Sequence, residues 1–294
     1  MLTCRPAPLR AAYSCALGIL LLLGGGIALH PLSAGLRRAE QDAGLHFPAP
    51  DFRRTDVLAQ NLAVFSLGGL RSLAAELLAL DATHAWLRQD WPLARERWQQ
   101  ITTLCPHRVN YWIRASRDMA KNAVAHVNSR PGLSPTERAQ QVRDYLDSAE
   151  AFLMEGIANN PKSALLWLEL AAFDEDLTRR PRFSRAVEDY RKALALGASP
   201  MYRRWEFYNL CRLRGREQEA WALGCQLFRQ ERHRTPSVRC LLWVLQHKLG
   251  LRQWSNEQLF GSEARARRDL ARFRRNDLRF PTSGIAAFLD APSS

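Results

Sequence analysis

The carboxylates of this chain include a group whose spacing could support acid–base catalysis. Four of them fall within eight positions, at Glu169, Asp174, Glu175 and Asp176. Two carboxyl groups that face each other in a pocket can act as general acid and base when their pKa values differ. The same spacing is also typical of a solvated helix end, and we favour that interpretation.

The six cysteines and seven histidines show no metal-ligand spacing. No two cysteines are separated by two residues, so zinc, haem attachment and thioredoxin-type chemistry lack their motif. No histidine follows another at four residues, as two ligands on one helix would. For Cys105, Cys211, Cys225 and Cys240 we favour small apolar contact residues, and a Cys211–Cys225 disulfide stays open.

No nucleotide-binding glycine loop and no nucleophile elbow occurs either. We therefore expect no cofactor, no metal and no catalytic residue. The formal charge of +13 comes almost entirely from arginine, since only four of the 42 basic residues are lysines. Codon usage explains this skew more simply than selection for phosphate contacts does. We expect no nucleic-acid partner, and attraction to an anionic membrane surface is favoured over it.

The elements that would position these side chains are helices, because one spacing recurs along the chain. A small residue is followed by an aromatic one four positions later, then by apolar residues at three-residue steps and a proline. The two sets are Ala94, Trp98, Ile101, Leu104, Pro106 and Ala186, Tyr190, Ala193, Leu196, Pro200. Each set predicts the inner face of a helix and the turn that ends it.

Helical patterning runs from Thr55 to about Asn276, and no strand is indicated. The spacing divides it into helix pairs. The predicted pairs are 77–89 with 91–104, a second from Trp112 to Pro161, a third from Trp167 to Pro200, a fourth from Trp205 to Pro236, and a partial fifth over 241–254.

Over residues 75–236 this pattern resembles the tetratricopeptide repeat. The resemblance implies an all-α, right-handed helical-repeat solenoid of four to five helix pairs. The second unit departs from the family pattern at Leu153 and Gly156, and the fourth at Gly224, where a bulky side chain is expected. A generic stack of helical repeats is the alternative.

The second unit is longer than the others. Ala94 and Ala149 lie 55 residues apart, 21 more than the family's period, whereas Ala186 and Ala220 lie one period apart. The extra residues fall around 122–138, where the run 134–137 predicts a capped helix start. We expect a loop at the edge of the array, either a docking loop or a longer turn.

The resemblance also implies a groove, because the first helix of each pair lines a concave surface in that family. The residues placed there are Trp86, Arg114, Arg117, Lys121, Glu169, Glu175 and Asp176. One end of such a groove is basic and the next acidic, which suits a polar extended ligand. The family's clamp for a C-terminal carboxylate is not supported, since its lysine and asparagine positions hold Ala79 and Thr83.

The N-terminal region predicts export. Residues 11–29 carry no charge and would reach about 28 Å as a helix, close to a bilayer's hydrocarbon thickness. We expect residues 1–34 to anchor the chain once in a bacterial-type cytoplasmic membrane, with the helical domain outside. Cleavage near Ala28, giving a secreted or periplasmic protein, is the alternative.

A linker over 35–54, a helical domain over 55–280 and a flexible tail over 281–294 complete the predicted organisation. The stretch 264–275 holds six arginines beside Leu270 and Phe273. It is expected to cap the array, and contact with acidic lipid head groups is the alternative.

These observations predict a non-enzymatic scaffold that holds protein partners in a cell-envelope assembly. Two other classes stay open. One is a periplasmic module that binds peptides or glycans, which would line its groove with aromatic side chains. The other is an enzyme whose polar cluster a single sequence does not reveal.

Overall fold

The computed structural model describes residues 71–179, 181–276 and 280–291. Of these residues 77% are helical and none lies in a strand, as the periodicity predicts. The predicted anchor at 11–29 and the linker at 35–54 lie outside the described residues. None of the helices described is long and apolar enough to span a bilayer.

Thirteen α-helices are described, together with short 3₁₀ turns. In chain order they are α1 (Arg71–Leu87), α2 (Trp91–Leu104), α3 (Val109–Arg117), α4 (Val124–Ser129), α5 (Pro135–Asn159), α6 (Ala164–Asp174), α7 (Phe183–Ala195), α8 (Arg203–Cys211), α9 (Glu217–Arg229), α10 (Pro236–Lys248), α11 (Asn256–Phe260), α12 (Glu263–Asn276) and α13 (Ile285–Asp290). A π-helical segment, Asp118–Ala123, joins α3 to α4 without a break.

The chain divides into two compact units. Residues 1–80 and 103–105 form one, and residues 81–102 and 106–294 form the other. In the described part of the first unit, the Cys105 sulfur lies 3.9 Å from the Arg71 carbonyl oxygen. The remaining description concerns the second unit.

From α4 onward, each helix packs on the next one along the chain, and α3 packs on α5. First helices of neighbouring pairs also touch, as α3 does with α6 and α8 with α10. The small residues of the recurring spacing, Ala94, Ala186 and Ala220, are all fully buried. The spacing therefore marks the inner faces of helices, as predicted.

The two glycines that depart from the family pattern lie where neighbouring helices approach most closely. A Cβ on Gly156 would come within 2.9 Å of the Trp112 side chain. A Cβ on Gly224 would lie 2.7 Å from the Phe207 ring and 2.8 Å from Leu242. The Phe207 ring from the adjacent helix therefore fills the volume in which the repeat pattern expects a bulky side chain at position 224.

The prediction of a loop in the second helix pair is wrong, because the extra residues are helical. They lengthen the helical run over 109–129 and its partner α5, which has 25 residues. Only five residues, 130–134, connect them. The capped start is confirmed: Ser134 accepts a hydrogen bond from the Glu137 amide (3.2 Å), and the Glu137 carboxylate accepts one from the Ser134 amide (2.9 Å).

The C-terminal region also differs from its prediction. Residues 285–290 form helix α13 rather than a flexible tail, and Ile285 is fully buried in the core. Arg267 on α12 holds α13 by donating to the carbonyls of Leu289 (3.2 Å) and Ala291 (3.0 Å). The apolar run over 285–289 gains more by packing than it loses in chain entropy. Residues 292–294 lie outside the described part.

The structure describes four cysteines, and it shows Cys211 and Cys225 as free thiols. Three of them, Cys211, Cys225 and Cys240, are buried among apolar side chains. Burial raises the pKa of the Cys211 thiol. Their burial agrees with the interpretation of these cysteines as small apolar contact residues, and Cys211 and Cys225 do not form a disulfide.

Candidate functional site

Polar contacts connect the first helices of successive pairs into one line, which we call the first-helix row. Arg114 on α3 donates to the Thr83 hydroxyl on α1 (3.4 Å). Arg117 donates through Nε to Glu169 on α6 (3.0 Å). The row ends where Asn209 on α8 donates to a Glu175 oxygen (2.6 Å). Its members are Thr83, Arg114, Arg117, Glu169, Glu175 and Asn209.

The row brings together four of the seven groove residues that the sequence indicates, namely Arg114, Arg117, Glu169 and Glu175. Trp86 lies one helical turn beyond Thr83 on α1 and is 40% exposed. Lys121 and Asp176 lie beside the row. All seven of the residues predicted for a groove therefore lie in the compact unit of residues 81–102 and 106–294.

Arg114 is held by an aromatic ring as well as by Thr83. Its guanidinium carbon lies 5.3 Å from the centroid of the Trp98 ring. The Trp98 indole in turn donates to Asp118 (2.9 Å), which also accepts from Asn122 (3.0 Å). Burial raises the pKa of Asp118, against these two hydrogen bonds and the nearby Arg114. The Arg114 guanidinium thus contacts Trp98 and Thr83, and the side chain remains exposed to solvent.

The π-helical segment follows Arg117 directly, starts at Asp118 and contains Lys121, so it lies beside the row. A π turn takes one residue more than an α turn, and it shifts the face presented by every later residue. Such segments are frequent at functional sites. Nothing in the sequence 118–123 marks this departure from α geometry, and sequence analysis missed it.

Glu169 and Arg117 form an ion pair in which the acid is the more buried partner. The Glu169 side chain is 19% exposed and the Arg117 side chain 54%. The arginine therefore presents one side to the acid and the other to solvent. A bidentate contact of this kind fixes the planar guanidinium in one orientation.

Glu175 faces inward, and both of its carboxylate oxygens accept hydrogen bonds from other helices. Its oxygens accept from the Tyr190 hydroxyl (3.0 Å) and from Asn209 (2.6 Å). Burial raises the pKa of Glu175, although both hydrogen bonds act to lower it. The carboxylate joins α6, α7 and α8, and it offers little to a ligand.

Asp176 is used in a similar way, by the turn that follows α6. It accepts from the Thr178 amide (2.9 Å) and hydroxyl (2.7 Å) and pairs with Arg179 (3.2 Å). Burial opposes ionisation, but the Thr178 hydrogen bonds, Arg179 and Lys121 together lower the pKa of Asp176. Arg179 also donates to the Ala120 carbonyl in the π segment (3.0 Å).

The charges of the row therefore differ from the basic-then-acidic groove that we expected. The acids Glu169, Glu175 and Asp176 are committed to partners within the fold. The bases present more of their charge to solvent, since Arg114 and Lys121 are exposed and Arg117, although paired with Glu169, is about half exposed. Which charges a ligand would meet therefore depends on the contacts that each side chain makes within the fold, and not on the residue types alone.

A second polar cluster, between α5, α6 and α7, was missed by sequence analysis. Asp174 is fully buried rather than part of a solvated helix end. One of its oxygens accepts from Arg182 twice (3.0 and 2.5 Å), and the other lies 3.1 Å from Arg185 Nε. Glu150 on α5 accepts from both arginines, at 2.8 and 2.6 Å.

Asp189 belongs to the same cluster and is 2% exposed. One oxygen lies 3.6 Å from Lys192 Nζ, and the other has no hydrogen-bond partner among the described residues. Burial, with a smaller effect of Asp174, raises the pKa of Asp189 to about 6. The signal in the sequence was its position between Ala186 and Tyr190, on the inner face of a helix.

A pocket of about 620 Å³ opens beside this cluster. Residues of α5, α6 and α7 line it, with part of the turn before α7: Met154, Trp167, Leu170, Arg182, Ser184, Arg185, Glu188, Asp189 and Lys192. Lys192 Nζ lies 4.2 Å from the Trp167 ring centroid. None of the predicted groove residues lines this pocket.

The residues that the structure describes include no group of three histidine, cysteine, aspartate or glutamate side chains that could hold a metal ion. Comparison of the chain with protein-family models and with curated proteins finds no match.

Proposed function

We propose that this protein is a non-enzymatic, membrane-anchored scaffold of tetratricopeptide type with a solenoid of helix pairs. Its first-helix row would hold an acidic extended segment of a partner protein in a cell-envelope assembly. One observation carries the proposal: the acids of the row are held by partners within the fold and largely covered, whereas Arg114 and Arg117, although each contacts the fold, stay exposed.

The contacts between α1, α3, α6 and α8 support this role. They connect four first helices through hydrogen bonds between side chains. A partner that brings carboxylates to Arg114 and Lys121 would find exposed donors, and at Arg117 it would share the guanidinium with Glu169. Complementary charge of this kind gives specificity and fast association more than it gives affinity.

The test uses the full chain and a displayed library of random peptides. We expect the selected peptides to be enriched in aspartate and glutamate. The double variant Arg114→Gln, Lys121→Gln should weaken binding of a selected peptide by about 2- to 30-fold, since each exposed charge pair contributes about 0.2 to 1 kcal/mol.

A matched control removes two exposed arginines outside the row, Arg88→Gln and Arg214→Gln. It should bind the same peptide nearly as well as the unmodified chain. Selection of basic or uncharged peptides, or an equal loss in the control, would contradict the proposal.

Membrane anchorage is tested separately, by the N-terminal sequence of the mature protein. A start at residue 1 or 2 supports an anchor that stays attached. A start at Leu29 means that the segment is cleaved, which supports the periplasmic or secreted alternative.

A second candidate function, a module that binds a peptide or glycan, is favoured by the pocket beside Asp189. The pocket offers the Trp167 ring, apolar walls and a buried carboxylate oxygen without a donor. Titration of oligosaccharides and peptides by calorimetry tests it. Binding that falls at least tenfold in Asp189→Asn but not in Lys121→Gln would favour this site over the row.

A further inference from the structure

Helix α12 presents a row of arginines on its outer face. Arg265, Arg268, Arg272 and Arg275 follow one another at steps of three, four and three residues. At 3.6 residues per turn they lie within about 80° of the helix circumference and extend about 15 Å along the axis. We call them the α12 basic face.

The opposite side of α12 fixes how this face is presented. Ala266 and Leu270 are fully buried and Phe273 is 5% exposed, in the core that α10 and α12 share. Arg267 ties the helix to α13 through two carbonyl groups. The helix cannot roll without exposing this apolar stripe, so the arginines point outward in the folded protein.

The charge of the basic face is largely uncompensated. Arg268, Arg272 and Arg275 are exposed, and no described residue forms an ion pair with them. Arg265 reaches Asp269 at 3.7 Å. Across Glu263–Asn276 six arginines face two carboxylates, a strong local excess of positive charge.

We propose that the α12 basic face docks on an anionic lipid surface. Guanidinium groups bind phosphate oxygens bidentately and are weakly hydrated, which suits lipid head groups. No large apolar side chain lies on this face, because Leu270 and Phe273 are committed to the core. The docking is therefore electrostatic, on the surface of the bilayer, and the helix does not insert.

This inference rests in part on the proposed anchorage. A segment held in the bilayer by residues 11–29 would keep α12 near lipid at high effective concentration, so even weak attraction would be populated. Without an anchor the same face would have to bind membranes on its own. Export would also separate the chain from nucleic acid, the other polyanion that such a face could attract.

The experiment uses the full chain reconstituted into nanodiscs of phosphatidylcholine, with or without phosphatidylglycerol. Hydrogen–deuterium exchange of residues 263–276 is followed by mass spectrometry. We expect exchange to slow several-fold only in the anionic nanodiscs, and the effect to vanish at high salt because exposed charges are screened.

The variant Arg268→Gln, Arg272→Gln, Arg275→Gln should lose this protection. Each arginine contributes roughly fivefold in partitioning to an anionic surface, so three contribute about a hundredfold. The control Arg88→Gln, Arg108→Gln, Arg214→Gln removes the same charge from exposed turns elsewhere. It should stay protected like the unmodified chain.

The remaining outcomes separate the two proposals. Equal exchange in both kinds of nanodisc means that the face is only solvated and overturns the inference. Protection by an added duplex oligonucleotide, but not by anionic lipid, assigns the face to nucleic acid and also overturns it. A chain retained only on anionic nanodiscs supports docking, while the proposed anchor fails.

Discussion

Asp189 brings a carboxylate into the packed interior of the third helix pair. The nearest cations are Lys192 at 3.6 Å and Arg185 at 4.0 Å, and Asp174 adds a second buried negative charge. Removal from water outweighs the attraction of these cations, so the pKa of Asp189 rises to about 6 from 3.8. The charged form is the costly one in this fold.

The stability of the protein should therefore depend on pH through Asp189. Its pKa is higher in the folded than in the unfolded chain, so the folded state binds the proton more tightly. The contribution of this group falls as the pH rises from about 4 to about 7, by as much as about 3 kcal/mol. Urea unfolding of the unmodified chain and of Asp189→Asn at several pH values measures it.

In that comparison the variant should become relatively more stable as the pH rises. A difference between the two proteins that is constant over this range would mean that Asp189 does not titrate there. Lys192→Gln serves as a control on the partner, because removing the nearby cation should raise the pKa of Asp189 further.

Gly224 is required by the approach of two side chains rather than by backbone conformation. We expect Gly224→Ala to reduce the free energy of unfolding by about 1 to 3 kcal/mol, because the new methyl group would overlap Phe207 and Leu242. Urea unfolding measures the change. Gln226→Ala, exposed on the same helix, should change it by less than about 0.5 kcal/mol. A neutral or stabilising Gly224→Ala would show that the ring moves aside.

At the scale of elements, α5, the longest of the helices that the structure describes, depends on how it begins. Ser134 and Glu137 satisfy each other's backbone amides, and Pro135 occupies the first turn. We expect Ser134→Ala to cost about 1 kcal/mol and to speed hydrogen exchange in the first turn of α5. Ser134→Asp keeps a capping oxygen and should preserve both properties. Equal loss in both variants would mean that the hydroxyl itself, not the cap, is needed.

The second helix pair also shows how an insertion can leave a helix stack intact. Its extra residues extend two antiparallel helices that still pack on each other, α4 on α5 and α3 on α5. The π segment takes up a register change inside the first of them. Helical extension keeps every backbone amide paired, which a loop of the same length would have to achieve with solvent or side chains.

At the scale of the whole molecule, the excess of basic charge governs how acidic partners approach. The net charge of +13 attracts polyanions in general, while under the proposed function the first-helix row would select among them by geometry. We expect the affinity for a selected acidic peptide to fall steeply as ionic strength rises from about 0.1 M to about 1 M, because the screening length shortens from about 10 to about 3 Å.

The Arg114→Gln, Lys121→Gln variant should show a shallower dependence on salt than the unmodified chain. Fluorescence anisotropy of a labelled peptide measures both curves. Parallel curves would mean that the attraction comes from the overall charge and not from the row.

Much of the fold was predictable because it is encoded locally. The start and end of α2 and the capped start of α5 follow from residues within one or two turns of each other. Buried Ala94, Ala186 and Ala220 follow from helical periodicity. The site was predictable only in part. Periodicity placed Arg117 and Glu169 on first helices. It did not predict that Glu175 accepts hydrogen bonds from Tyr190 and Asn209, because these residues are distant in sequence.

The sequence by itself determined the helical class, the helix pairs and the faces that pack, since these depend on periodicity, caps and turns. Only the tertiary structure decided which charges remain open to a ligand. Whether a carboxylate is free depends on donors from other helices, as Asp174 shows with Arg182 and Arg185. The tertiary structure likewise decided that the long second pair is helical and that residues 285–290 join the core, because both depend on contacts between distant segments.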